Sequence, residues 1–199
     1  RLRLNVALVV TLLVLAMAMP ALAADGKFTI VHVNDVHGHI EPFLRTGGKE
    51  DVGALAKVAV YLEGLRKEND SILLLSAGDM IHGTNVVNLF AGLPMVEIMN
   101  HMGFDAMALG NHEFNYGQEQ LLSLAKAAKF PFLSANVVRD NGTVFIGDYN
   151  IFDVGGVKVG VFGLSPTDTP ILTHPKDVVG LKFLDPAAVA AKMVEALDS

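Results

Sequence analysis

FDAMALGNHEFNYG, residues 104–117, joins an apolar run to a group of polar residues and then to a helical pattern. Residues 104–109 predict a strand, and residues 118–128 predict a helix. Ligands of open α/β sheets bind beyond the carboxyl ends of the strands. A group of polar residues at that point, which the packing of the fold does not require, therefore indicates a ligand site. Asn111, His112 and Glu113 stand at that point, so this stretch is where the search for a functional site begins.

Similar alternation of strand-like and helix-like runs continues in both directions from this stretch. Apolar, β-rich segments predict strands at residues 27–33, 71–77 and 132–138. Helical spacing predicts a helix from an N-cap at Asp51 to about Asn69, and another that Pro94 opens and Gly103 closes. This order predicts βαβ units and an α/β fold with a mostly parallel sheet.

The pattern changes after residue 142. Two alternating runs joined at Gly155-Gly156 predict a β-hairpin that adds antiparallel strands at one side of the sheet. Asp185-Pro186 predicts the start of a last helix, which runs to the end of the sequence at Ser199. Because the sequence stops within a helical pattern, we expect the chain to be truncated at its C-terminus.

Residues 1–24 have the layout of a secretory signal peptide. Two arginines precede an apolar run at residues 6–19, and Pro20 and the small residues around Ala23 follow it. A membrane anchor is the alternative, but the apolar run is short for a bilayer span. We therefore predict export, to the periplasm, the cell surface or the medium, with no stable membrane span after cleavage.

The composition argues against a disulfide-stapled protein and against a nucleic-acid polymer as the main partner. The chain has no cysteine, so after export only its core or bound metal stabilises it, without disulfides. Its formal net charge is −6, and the loss of Arg1 and Arg3 with the leader makes it more acidic. No basic stripe is present for a nucleic-acid polymer, whereas carboxylates that point inward could hold cations.

Three successive strand ends carry residue types that ligate metals. Asp35 and His37 follow the first strand, two positions apart in a segment we expect to be extended, so that both point the same way. Asp79 follows the second strand, and Asn111 and His112 follow the third. Carboxylate, imidazole and amide oxygen suit Zn, Mn or Fe, and the lack of thiolate disfavours a closed structural zinc site.

The quoted groups resemble a known family. D-x-H, G-D and G-N-H-E, in this order, resemble the calcineurin-like metallophosphoesterases, and VNDVHGHIEP, LLLSAGDMIHGT, ALGNHEFNYG and LSANV resemble its secreted bacterial 5′-nucleotidases. The resemblance implies a four-layer αββα sandwich, two divalent metal ions and hydrolysis of a nucleotide phosphomonoester. It implies Asp35 and His37 as ligands of the first metal, Asp79 as the bridge and Asn111 as a ligand of the second.

The same resemblance implies His112 and Asn115 as the catalytic residues. His112 would stabilise the transition state or protonate the leaving ribose oxygen. Family members commonly have Asp where this chain has Asn115, whose amide oxygen can accept from the ring but brings no charge, so a charged imidazole is less favoured here. We expect Asn111, His112 and, more weakly, His82 to contact the substrate.

Several alternatives stay open at this level. GNHEFN also resembles the branch that hydrolyses 2′,3′-cyclic nucleotides and 3′-nucleotides, and the thiosulfate-oxidation hydrolase shares the fold. A non-catalytic surface protein that binds metal is the interpretation from another class. The oligomeric state is not predicted.

The resemblance also implies that part of the site is missing. The remaining metal ligands and the C-terminal nucleotide-binding domain would follow Ser199, so residues 25–199 would be the N-terminal part of the catalytic domain, inactive alone. Among the other candidates, we expect His32 to be a packed core histidine, and we expect Glu113 to serve structure because acids are common where helices start. His39 could contact phosphate or be solvated.

Overall fold

The computed structural model describes residues 26–44, 47–48 and 51–198. The predicted signal peptide therefore lies outside the described residues. Ten strands are described: β1 Thr29–Val33, β2 Phe43–Leu44, β3 Asp51–Val52, β4 Ile72–Ser76, β5 Ala106–Ala108, β6 Phe132–Leu133, β7 Val137–Arg139, β8 Tyr149–Val154, β9 Val157–Phe162 and β10 Leu181–Phe183. The α-helices of the same part are α1 Leu55–Glu68, α2 Asn85–Leu89, α3 Leu93–Met102, α4 Gly117–Ala127, α5 Thr169–Leu172 and α6 Pro186–Leu197.

A four-stranded parallel sheet of order β1-β4-β5-β6 organises the fold. Val31 aligns with Leu74, and Ser76 aligns with Met107, so alternate residues of neighbouring strands share one face. That face packs against helices α1 to α4 in a core that includes Leu62, Met95 and Leu121. The predicted α/β class with a parallel sheet is confirmed.

The other face of the sheet turns toward the β8–β9 hairpin. Leu75 and Ala106 of the sheet and Phe162 of β9 line a cavity of about 200 Å³ between the two layers. Helix α6 covers the hairpin from outside, since a Cβ on Gly160 would lie 3.1 Å from the Leu197 side chain. The order of layers is thus helices, parallel sheet, hairpin and helix, as the four-layer prediction requires.

Several predicted boundaries are confirmed. Helix α3 ends where Gly103 adopts a φ of 70°, a left-handed conformation that suits glycine. The hairpin turns at Gly155-Gly156, and the Asp185 carboxylate accepts from Ala188 N to cap α6. In the part of the chain that the structure describes, no helix is both long and apolar enough to cross a membrane.

Three predictions about the helices, the strands and the core are wrong. Asp51 does not cap a helix, because it pairs with Leu44 in the short β2–β3 ladder, and α1 begins only at Leu55. His32 is exposed, because it lies on the sheet face toward the hairpin, where it lines the cavity between the two layers.

The third wrong prediction is the segment at residues 132–138, which is two strands instead of one. β6 belongs to the parallel sheet, whereas β7 pairs antiparallel with β10. Asn136 lies between them with its side chain buried, donating to Ser165 O and Leu184 O and accepting from Ser165 N. The Asn136 side chain is thus bonded to segments outside the parallel sheet, and at this residue the chain leaves that sheet and enters the β7–β10 pair.

Candidate metal centre

The loops after β1 and β4 run side by side beyond the sheet. Asp35 N donates to Gly78 O at 3.1 Å, and His37 N donates to Asp79 O at 3.0 Å. Asp35, His37 and Asp79 all have left-handed backbones, with φ values of 53°, 49° and 55°. Residues other than glycine seldom adopt this conformation, and such strain concentrates at functional sites.

The expectation that residues 35–37 are extended is therefore wrong, although its consequence holds. The backbone turns at both residues, and the turn brings Asp35 Oδ1 to 3.5 Å from His37 Nε2. Asn34 donates its side-chain amide to the second oxygen of Asp35. The carboxylate and the imidazole lie close together because both residues have left-handed backbone conformations, and not because of the two-residue repeat of a strand.

His37, Asp79 and His112 bring together two ring nitrogens and a carboxylate oxygen that lie within 4.8 Å of one another. His112 N also donates to Asp79 Oδ1 at 2.9 Å. Asn111, half-buried, immediately precedes His112 at the start of a short 3₁₀ turn. Nitrogen and carboxylate donors without thiolate fit Zn, Mn or Fe, so the donor set of this chain suits the metals that the sequence predicted.

Two glycines allow the loops after β4 and β5 to approach each other. A Cβ on Gly78 would overlap the backbone of Gly110, and a Cβ on Gly110 would overlap the Asp79 carboxylate. Gly78 also has a φ of 101°. Glycine at both positions is needed for Asp79 and His112 to lie close to each other.

The Glu113 carboxylate links the same two loops through hydrogen bonds to their backbones. Its side chain is fully buried, and it accepts hydrogen bonds from Asp79 N, Met80 N and Gly110 N at 2.8–2.9 Å. Burial raises the pKa of the Glu113 carboxyl, and the three N–H donors act in the opposite direction. Glu113 therefore serves structure, as expected, but through buried hydrogen bonds that its position in the sequence did not reveal.

His82 lies against the cluster. Its ring is parallel to that of His112, with 5.1 Å between centroids and 4° between planes, while the His37 ring meets His112 edge-on at 4.9 Å. Burial, His112 and His37 lower the pKa of His82, and Asp79 opposes them. His39 instead stacks on Phe43 at 4.2 Å.

Asn115 contacts His112 in a way that the sequence did not predict. The amide nitrogen of Asn115, and not its oxygen, lies 2.9 Å from Nδ1 of His112. The amide oxygen is engaged elsewhere, since it accepts from the Thr173 hydroxyl at 2.8 Å. Thr173 is 58 residues from Asn115 in sequence, and no nearby residue type signalled its part in the site.

An open cavity of about 420 Å³ adjoins the cluster. Asp35 and Asp79 line one side of it, and Ser165 and Pro166 line another. The cavity therefore brings solvent-accessible space to both carboxylates.

The fold and this site define the class of protein. Residues 28–189 match the model of the calcineurin-like phosphoesterase family, and the chain belongs to this family. It is 40% identical over 168 residues to a snake venom 5′-nucleotidase from Gloydius brevicauda, and 36% identical over 202 aligned positions to the NAD 5′-nucleotidase of Haemophilus influenzae.

These alignments cover 79% and 96% of this chain. The chain spans only 29% and 33% of those two relatives. Among solved structures, a 5′-nucleotidase precursor from Thermus thermophilus matches with a TM-score of 0.77 and 36% identity, over 84% of this chain and 34% of that one. The recognition of the family from its sequence groups is confirmed.

Proposed function

We propose that this chain is the N-terminal part of the catalytic domain of an exported, metal-dependent nucleotide phosphohydrolase of the 5′-nucleotidase type. The observation that carries the proposal is the convergence of His37, Asp79 and His112 within 4.8 Å at the carboxyl edge of the parallel sheet. The 5′-nucleotidase names of several relatives support the choice of a nucleotide substrate.

The residues divide into ligands and a substrate-facing group. Asp35 and His37 would hold one divalent ion, Asp79 would lie between two ions, and Asn111 would contribute to the second. Divalent ions held by these residues would polarise the phosphate and activate water at neutral pH. His112 Nδ1 is engaged by Asn115, which leaves Nε2 to donate to a phosphoryl or leaving oxygen.

The cyclic-nucleotide phosphodiesterase with 3′-nucleotidase activity is the second candidate. The observation that favours it is Asn115, which stands where the 5′-nucleotidases commonly have aspartate. The thiosulfate-oxidation hydrolase and a non-catalytic metal-binding surface protein are further interpretations. The substrates tested below separate the first two, and a loss on His112→Ala separates any hydrolase from a non-catalytic protein.

The domain assignment belongs to the same proposal. We assign residues 1–24 to a signal peptide and residues 25–199 to part of the catalytic domain, with further metal ligands and a nucleotide-binding domain supplied from beyond Ser199. The short span relative to the relatives and the exposed Ile30 and His32 side chains on the hairpin face of the sheet support this assignment. The 199-residue chain alone is expected to be inactive.

The test uses the complete gene product, stripped of metal and reloaded with Mn²⁺ or Zn²⁺. Phosphate release is measured from AMP, 3′-AMP and 2′,3′-cyclic AMP. We expect metal-dependent hydrolysis of AMP that His112→Ala removes, while His101→Ala, an exposed histidine on α3, changes nothing. Preference for the cyclic substrate would move the assignment to the second candidate, and hydrolysis by the 199-residue chain would overturn its fragment status.

A further inference from the structure

The geometry points to Thr173 as a positioning residue for His112, acting through the Asn115 amide. The Thr173 hydroxyl donates to Asn115 Oδ1 at 2.8 Å, and Asn115 Nδ2 lies 2.9 Å from His112 Nδ1. This inference rests on the proposed hydrolase function, in which His112 faces the substrate. It adds a residue to the site that lies outside all of the sequence groups that identify the family.

Thr173 is held firmly enough to act in this way. It is 8% exposed, and its backbone N–H donates to Thr169 O at 2.9 Å at the end of α5. Thr169 is fully buried, and its hydroxyl donates to Pro166 O at 2.7 Å. The four-residue helix α5 is thereby tied to the loop that lines the cavity beside Asp35 and Asp79.

The Thr173 hydroxyl donates to the oxygen end of the Asn115 amide. An amide can present either its oxygen or its NH₂ group to a neighbour, and the two options are close in shape. With the oxygen engaged by Thr173, the NH₂ group faces His112, so Nδ1 accepts and the ring proton lies on Nε2. Which nitrogen of a histidine carries its proton is set by the hydrogen bond that the other nitrogen makes.

The ring of His112 is then fixed on several sides. Asn115 contacts Nδ1, His82 stacks on one face, and the His37 ring meets it edge-on. His112 N is bonded to the Asp79 carboxylate. Thr173 thus sets the tautomer of a ring whose place is already fixed, and its removal leaves the ring in position with both tautomers populated.

The experiment compares Thr173→Val with Thr173→Ser in the complete, metal-loaded gene product. Valine keeps the shape and removes the hydroxyl, whereas serine keeps the hydroxyl. We expect Thr173→Val to lower kcat about 10-fold, as losses of orienting partners do, with KM for AMP changed less than about twofold. Thr173→Ser is expected to retain activity near that of the wild type. In an Asn115→Ala background, Thr173→Val should cause no further loss, because the two residues act through one path.

A second readout does not depend on activity. The ¹⁵N chemical shifts of the His112 ring in metal-free protein, at a single alkaline pH, should show one tautomer in the wild type and in Thr173→Ser, and a mixture in Thr173→Val. Equal ring shifts in all three proteins would overturn the inference, as would a loss in Thr173→Val that persists undiminished in the Asn115→Ala background.

Failure of the inference and failure of the proposed function give different results. A wild-type protein that hydrolyses none of the three nucleotides contradicts the proposed function, and the ring shifts still decide the role of Thr173. An active wild type with kcat unchanged by Thr173→Val contradicts the role of Thr173 alone. Should Thr173→Val fail to fold, as circular dichroism would show, the Asn115→Ala protein serves instead, and a single tautomer there would contradict the role of the amide.

Discussion

Two regions of the molecule differ in how deeply their side chains are buried. The strand-end region comprises residues 34–39, 77–82 and 110–116, and the hairpin region comprises residues 149–162 with α6. Met80, Ile81 and Phe114 in the first are completely buried. The hairpin region has alternating, half-exposed strands, and α6 has no buried residue. In the described residues after Val138, the buried hydrophobic side chains are Phe145, Val154 and Val178.

The difference shows where the fold can hold charged groups at fixed positions. A dense core lies directly under the strand-end loops, and polar anchors such as Glu113 are completely enclosed by it. Close packing transmits position, because buried side chains cannot shift without opening voids. The site therefore lies on the densely packed part of the fold, and the hairpin region adds the two outer layers on the other side of the sheet.

The sharpest test of this contrast replaces one carboxylate in each region. Asp79→Asn keeps the shape and the acceptor for His112 N but removes the charge among the ligands. We expect affinity for Mn²⁺ or Zn²⁺, measured by calorimetry, to fall more than about 100-fold, beyond the usual effect of residues that only orient ligands.

Asp153→Asn is the matched control in the hairpin region. Asp153 lies on the exposed surface of the hairpin, where it is paired with Lys158 at 2.8 Å, and the Lys158 ammonium lowers the pKa of the Asp153 carboxyl. No change in metal affinity is expected. An equal loss in both variants would mean that the metal responds to overall charge, and the strand-end cluster would lose its special role.

Glu113→Gln tests the frame beneath the site. Glutamine offers one oxygen and turns an NH₂ group toward backbone N–H donors, so at least one of the three hydrogen bonds is lost inside the core. Hydrogen bonds to charged groups contribute about 1.5–3 kcal/mol each, and we expect the free energy of unfolding to fall by roughly 3 kcal/mol. Urea denaturation followed by circular dichroism measures it, with the exposed Glu195→Gln on α6 as control. A loss no larger than in the control would mean that the loops do not depend on Glu113.

The fold was predictable where hydrophobic pattern and topology decide it. Residues 71–77 are apolar because β4 is covered, and the βαβ rule brings successive strand ends to one edge. That rule placed Asp35, Asp79 and His112 together before any coordinates. The hairpin at Gly155-Gly156 was predictable for a similar reason, since turn chemistry is local.

The details that failed depend on contacts that are distant in sequence. The break in residues 132–138 follows from the buried Asn136 side chain, whose hydrogen-bond partners are 29 and 48 positions away. The left-handed backbones at Asp35 and His37 come from pairing with the neighbouring loop. Thr173 completes the Asn115 contact from 58 positions away, and no periodicity in the sequence carries such information.

Asn115→Asp is expected to have a smaller effect than loss of a ligand. In the proposed site the neutral His112 ring donates from Nε2, and a carboxylate beside Nδ1 would favour the charged ring instead. The pH at which the neutral form is lost should therefore rise, which moves the acidic limb of the rate–pH profile of the complete enzyme to higher pH. Asn100→Asp, in the last turn of α3 where the side chain bonds Ala127 O and Lys129 N, serves as the control for an added charge. An unchanged profile would remove Asn115 from the mechanism.

The smallest predicted effect concerns His82 and the stability of the strand-end region. The pKa of His82 is lowered from 6.5, chiefly by burial and then by His112 and His37, so the fold disfavours its charged form. The unfolded chain takes up the proton more readily, and the folded state therefore loses stability as the pH falls below about 6.5. His82→Gln cannot gain that charge, so its melting temperature should decline less than that of the wild type between neutral and mildly acidic pH, in metal-free protein. His174→Gln, on the exposed surface, should follow the wild type. Parallel decline of all three proteins would show that folding does not change the proton affinity of His82, and that its place beside His112 and His37 has no effect on stability in this pH range.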